Sequence, residues 1–121
     1  MSRYFAEDEM RCKCGKCGGK VHVCPELWVL MDAVREAVGH PLVPTSGYRC
    51  AQHPVEVAKP TPGEHTYGCA VDFPVVGDKD RFLMVAAAVK GGCRRIGIGP
   101  NFIHLGLSRI FPEDVMWTYY K

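Results

Sequence analysis

The run Gly63-Glu64-His65-Thr66-Tyr67-Gly68-Cys69-Ala70-Val71-Asp72, followed further along by Phe102-Ile103-His104, supplies two imidazoles and a carboxylate within one short chain. Two histidines and an aspartate can hold one zinc ion and leave a coordination position open, the layout of a catalytic rather than a structural site. Such an ion suits hydrolysis, because it lowers the pKa of water to about 7 and polarises a carbonyl. His65, Asp72 and His104 are therefore the metal-ligand candidates, and two nitrogens with one oxygen favour zinc over other divalent ions.

Cysteine is the second chemical signal. Seven cysteines in 121 residues is high usage, and an odd number cannot all pair within one chain. Cys12, Cys14, Cys17 and Cys24 crowd a polar, glycine-rich segment over residues 10–24, with His22 among them, and could supply soft ligands to a second, structural zinc ion. Only Cys14 and Cys17 have the C-x-x-C spacing, so one or two disulfides, or reduced thiols, fit the same segment. Cys50, Cys69 and Cys93 read as small core residues.

The elements that must position these groups follow an α+β order. Pro25 to Val38 predicts a helix, with Pro25 in the first turn, Leu27, Leu30, Met31 and Val34 on one face, and Gly39 as the stop. Leu42 to Ser46 reads as a short extended piece before a Gly47 turn, and Gln52 to Gly63, with three prolines, as a loop. Val71 to Val76 is the next extended piece. Asp78 or Asp80 caps a helix to about Lys90, with Phe82, Val85, Ala86 and Val89 expected on its buried side. Arg95 to Ile98 and Phe102 to Leu107 flank Gly99-Pro100-Asn101, a hairpin turn. The expected architecture is one domain over residues 1–121, a small, mainly antiparallel sheet packed by two helices, with the zinc site on the sheet face.

Strand alternation then brings the ligands together. Val71 and Phe73 point one way and Asp72 the other, while Ile103, Leu105 and Leu107 face opposite to Phe102, His104 and Gly106. Asp72 and His104 can thus share one side of a sheet. Gly68 permits the tight bend that returns His65 over the strand carrying Asp72.

Composition excludes several classes. Apolar residues make up 47% and charged residues 23% of the chain, the usage of a globular domain, and no apolar run reaches membrane-spanning length. A net charge of +2 with scattered signs gives no basic stripe for nucleic acid. Residues 1–10 carry Glu7, Asp8 and Glu9 in place of an apolar core, so the sequence predicts synthesis in the cytoplasm without a signal peptide. A monomer is the expected state.

Three blocks extend the reading: Thr45-Ser46-Gly47-Tyr48-Arg49-Cys50, then His65 to Asp72 with six residues between His and Asp, then Ile96-Gly97-Ile98 with Phe102-Ile103-His104. In order and spacing they resemble the signature blocks of the zinc D-Ala-D-Ala carboxypeptidase family, in particular its small phage and bacterial members. The resemblance implies His65, Asp72 and His104 as zinc ligands, peptidoglycan peptides as substrate, and a phage- or prophage-encoded lysis protein acting on the cell wall. It also implies that Arg49 contacts the substrate or the developing charge on its carbonyl, which a guanidinium does through paired hydrogen bonds. Ser46, Tyr67 and Tyr48 are candidates to line the cleft.

The chain departs from the family pattern at three places. Gly63-Glu64-His65 replaces Ser-x-His, His104-Leu105-Gly106 replaces His-x-Asp, and Asn101 stands where related peptidases carry an acid three residues before the last histidine. An amide cannot be a general base, and that role contributes on the order of a hundredfold to ten-thousandfold. Glu64 is the first candidate substitute, with His53, Glu56, Glu113 and Asp114 behind it. The expected reaction is hydrolysis in the stem peptide or cross-link. The alternatives are a weak or inactive wall-binding or virion structural protein that keeps the fold, and a cysteine-rich zinc ribbon fused to an unrelated domain.

Overall fold

Proline at the first helical position presets φ and needs no N–H partner there, so helix α1 begins at Pro25 and runs to Val38. It buries Leu27, Leu30, Met31 and Val34 as its periodicity requires, and ends where Gly39 turns left-handed and donates its N–H to Arg35. In this computed structural model residues 2–61 and 63–119 are described. After α1 come a one-turn helix α2 (Pro54–Val57), strand β1 (Ala70–Pro74), helix α3 (Gly77–Lys90), and strands β2 (Arg95–Ile98), β3 (Phe102–Gly106) and β4 (Val115–Thr118). Short 3₁₀ turns span Glu7–Met10 and Glu64–Tyr67.

The sheet order among the described strands is β1-β3-β2-β4. β1 and β2 both pair antiparallel to β3, and β4 joins the far edge parallel to β2, which makes the sheet mixed. Val71 and Phe73 of β1 and Ile103 and Leu105 of β3 are fully buried and pack with Leu27, Met31, Val34 and Met84 into one core. The opposite face carries Asp72 and His104 as a direct cross-strand pair. Burial on one face therefore fixes the register that presents the two ligand candidates on the other.

Several expectations are corrected. α3 buries Met84 and Ala88, with Val85 and Ala87 against the core, whereas Phe82, Ala86 and Val89 are exposed. Residues 83–89 are apolar almost all round, so periodicity could not select the stripe; packing against α1 does, with small Ala88 inward. Val76 occupies the N-cap, and Asp78 and Asp80 lie inside the first turn, where they complement the helix dipole. Residues 42–46 form no strand: Thr45 and Ser46 only bridge to Asp72 through backbone hydrogen bonds of 2.9 Å. The loop from Gln52 contains α2, and Pro62 lies outside the described residues.

The cysteine reading changes most. Cys24 is joined to Cys69 in a disulfide that ties the start of α1 to the entry of β1, so Cys24 is no partner for Cys12, Cys14 and Cys17, and Cys69 is no free core thiol. Cys50 stands with the other three instead. Cys93 is a buried core thiol as expected, donating to the carbonyls of Arg95 and Gly106.

Candidate metal centre and its cleft

Three elements deliver the three ligand candidates. Asp72 and His104 face each other across β1 and β3, and His65 comes from the 3₁₀ turn just before β1. That turn ends at Gly68, whose φ of 73° suits glycine and at which a Cβ would lie 2.3 Å from the His22 carbonyl oxygen. The bend expected from sequence is therefore present and leaves no room for a side chain. One ligand atom from each of His65, Asp72 and His104 lies within 4.8 Å of the others. His65 Nε2 is 3.4 Å and His104 Nδ1 2.9 Å from the same oxygen, Asp72 Oδ1.

The outer nitrogen of each ring is already engaged. His65 Nδ1 donates to the Gly47 carbonyl at 2.7 Å, since a carbonyl can only accept, and this leaves Nε2 as the free lone pair. His104 Nε2 lies 2.9 Å from Glu64 Oε1 and donates to it for the same reason. Its Nδ1 is then the atom that faces Asp72 and His65. Glu64 also accepts from the Ser108 N–H at 3.0 Å. The Arg95 guanidinium adds an ion pair at 3.1 Å, although its Nε makes no aligned hydrogen bond.

These contacts set the charges. Burial opposes ionisation of Asp72, but the two imidazoles against it, His104 foremost and His65 next, hold its carboxyl well below the usual carboxylate range. Burial likewise disfavours charge on His104, and the two carboxylates on its ring nitrogens outweigh that and raise its pKa. Glu64 is lowered against its own burial, chiefly by His104. Two imidazole nitrogens and an ionised carboxylate converging in a buried pocket form a donor set that fits zinc. Carboxylate and carbonyl partners on the rings supply the orienting outer shell that such ligands need.

The cleft over this group is lined by Arg49, His65, Asp72 and His104 together with the aromatic residues Phe102, Phe111, Trp117 and Tyr119. Arg49 Nη1 is held by Glu56 at 3.1 Å and its Nη2 stands 4.0 Å from Asp72. Glu56 is itself buried and also takes Lys59 and the Gly63 N–H. Ser46 lies on the shoulder beside Asp72 and Arg49, next to Asn101. Tyr67 is exposed at the rim with its ring against Phe111, and Tyr48 packs on His22 away from the cleft lining. Of the remaining acid–base candidates, Glu113 and Asp114 pair with Arg94, and His53 Nδ1 accepts the Val55 N–H as the cap of α2.

Sequence reasoning missed the aromatic wall and Arg95. β4 brings Trp117 to 5.5 Å from the His104 ring, and Arg95 lies between Phe111 and Trp117 at 5.1 Å from each centroid. The available signal was Trp117 and Tyr119 spaced two apart at the end of the chain, the alternation of a strand edge.

The family description Peptidase M15 matches residues 3–106, which takes in all three ligand candidates and ends at the last residue of β3. The chain belongs to this family, the zinc D-Ala-D-Ala carboxypeptidase family that its three sequence blocks resemble. None of the curated proteins compared matches the chain. Family and ligand group together support a metallopeptidase. No helix among the described residues is long and apolar enough to cross a membrane.

Proposed function

We propose that this chain hydrolyses a peptide bond in the peptidoglycan stem peptide or cross-link, as a zinc peptidase whose ligands are His65, Asp72 and His104. The observation that carries the reading is the part-buried pair Asp72–His104 with His65 Nε2 turned toward it, in a cleft that also presents a fixed guanidinium. Zinc held there would supply a nucleophile near neutral pH and Lewis-acid polarisation of the scissile carbonyl.

The protein's own groups do the rest. Arg49, fixed by Glu56, binds a substrate carboxylate, either a terminal D-alanine or a D-Glu side chain, through its remaining N–H groups. Ser46 contributes a hydroxyl beside it, and Tyr67 extends the rim. Phe102, Trp117 and Tyr119 offer an apolar wall to the small methyl groups of such a peptide and exclude water from the bond being cut. Glu64 acts as a positioning residue: both its oxygens are taken by His104, Ser108 and Arg95, so it orients His104 and does not serve as the acid–base group first sought there. The site of action is the cell wall, in the manner of a phage lysis protein.

One observation favours the second reading, a wall-binding or virion protein of weak or no turnover. The only carboxylates lining the described cleft are Asp72 and Glu64, and both are committed, while Asn101 offers an amide. The test is mass spectrometry of soluble fragments released from purified peptidoglycan by the zinc-loaded chain, beside a chelator-treated sample. Chelator-sensitive release is expected, and the fragment masses name the bond. No release from protein that holds zinc on the three residues would decide for the second reading.

A further inference from the structure

The segment of residues 11–24 contains neither helix nor strand, yet Cys12 within it is buried. Three of its thiols, Cys12, Cys14 and Cys17, meet a fourth, Cys50, from the residue directly after Arg49. All four sulfurs lie within 4.8 Å of one another, with Cys14 Sγ 3.6 Å from Cys17 Sγ and 3.5 Å from Cys50 Sγ. Those separations are far beyond an S–S bond of about 2.05 Å. They approach the edge of a tetrahedron of sulfurs around zinc, about 3.8 Å for Zn–S bonds of about 2.3 Å.

We propose that Cys12, Cys14, Cys17 and Cys50 bind a structural zinc ion, separate from the His65–Asp72–His104 centre. A closed set of four thiolates leaves no position for water, so this site holds structure and performs no hydrolysis. Its surroundings have the features such a site needs. The Lys16 N–H donates to Cys14 Sγ and the Cys50 N–H to Cys12 Sγ, each at 3.3 Å, which is the outer-shell support that orients thiolates. Arg11, Lys13, Lys16 and Lys20 lie in the segment and no acid does, which offsets the double negative charge of zinc with four thiolates.

The ion would join two stretches of chain that already lie side by side. Cys12 N–H donates to Lys20 to close the loop, and Tyr48 N–H donates to Met10, so the loop lies alongside Gly47 to Cys50. Zinc on the four sulfurs would tether that loop to the stretch that carries Arg49 into the cleft. Binding and local folding are then one event, as in small metal-dependent modules.

The test uses the full chain, purified under reducing conditions, stripped of metal and reloaded with zinc or cobalt. The wild type is expected to hold two zinc ions per chain, and the His65→Ala/His104→Ala variant one. The cobalt-loaded histidine variant should show sulfur-to-cobalt charge-transfer absorption, because its one remaining site is all thiolate. Cys17→Ser should lose that absorption and one ion, and the wild-type spectrum serves as the readout if this variant does not fold. A cobalt-loaded histidine variant without the charge-transfer band would overturn the proposal. So would iron in place of zinc, or disulfides among the four cysteines in the protein as purified. A wild type with one ion and the full thiolate spectrum would uphold this site while failing the histidine centre.

Discussion

A Cβ built on Gly106 would lie 2.1 Å from Glu64 Oε1 and 2.2 Å from Oε2, so the carboxylate of Glu64 fills the space a side chain at 106 would enter. Where the resembled family carries Asp in the His-x-Asp block, this chain has glycine, and an acid reaches the same place from the 3₁₀ turn. Gly106, one of the departures that looked like a loss in sequence, is thus matched by Glu64, whose carboxylate takes up the space. Glu64→Gln and Gly106→Ala should each weaken zinc binding at the histidine centre by roughly 10–100-fold, the usual effect of disturbing an outer-shell partner. Competition with a fluorescent zinc chelator measures this, and wild-type affinity in both would remove Glu64 from the site. Glu56 carries a pH prediction. Burial opposes its charge, but the Gly63 N–H, Lys59 and Arg49 outweigh that and lower its pKa below 4.5. A carboxylate depressed by folding stabilises the protein above its unfolded pKa and loses that contribution as pH falls through the folded value. The stability advantage of wild type over Glu56→Gln should therefore be full at neutral pH and shrink below pH 4.5, read as Tm against pH. An advantage that holds constant down to strongly acid pH would contradict the ion-pair account.

At the scale of elements, α1, β1, β2 and β3 were legible because one-sided burial writes a period into the sequence, and β alternation put Asp72 and His104 on one face, while their direct pairing is set by the register. α3 was legible in extent and not in orientation, since its apolar run has no single stripe. β4 was not legible: Val115 to Thr118 is a four-residue edge strand with mostly exposed side chains, so no burial pattern marks it. The convergence of the three ligand candidates was readable from residue type and spacing, whereas the Cys24–Cys69 disulfide and the place of Cys50 depend on chain crossings that spacing does not encode. The disulfide spans a sequence separation of 45 residues and fixes α1 to the start of β1. In the chain-entropy view its loss costs about 2–4 kcal/mol, so Cys24→Ser should lower Tm by on the order of 10 °C in scanning calorimetry. An unchanged Tm would mean that packing of α1 already holds this junction.

Across the whole molecule, one face of a small sheet is sealed by α1 and α3 and the other is left for chemistry. Val71, Phe73, Ile103 and Leu105 fix the backbone from below, while Asp72 and His104 rise from alternate positions of the same strands. Arg49, Trp117 and Tyr119 help to line the cleft, brought there by different parts of the chain. A rigid scaffold with ligands on strands is the arrangement that holds a metal centre to catalytic precision. The most direct test of the central claim is anomalous diffraction at the zinc edge from crystals of the zinc-loaded protein. A peak is expected among His65 Nε2, Asp72 Oδ1 and His104 Nδ1, and its loss in crystals of His104→Ala. Zinc-loaded crystals with no peak at those three atoms would contradict the claim.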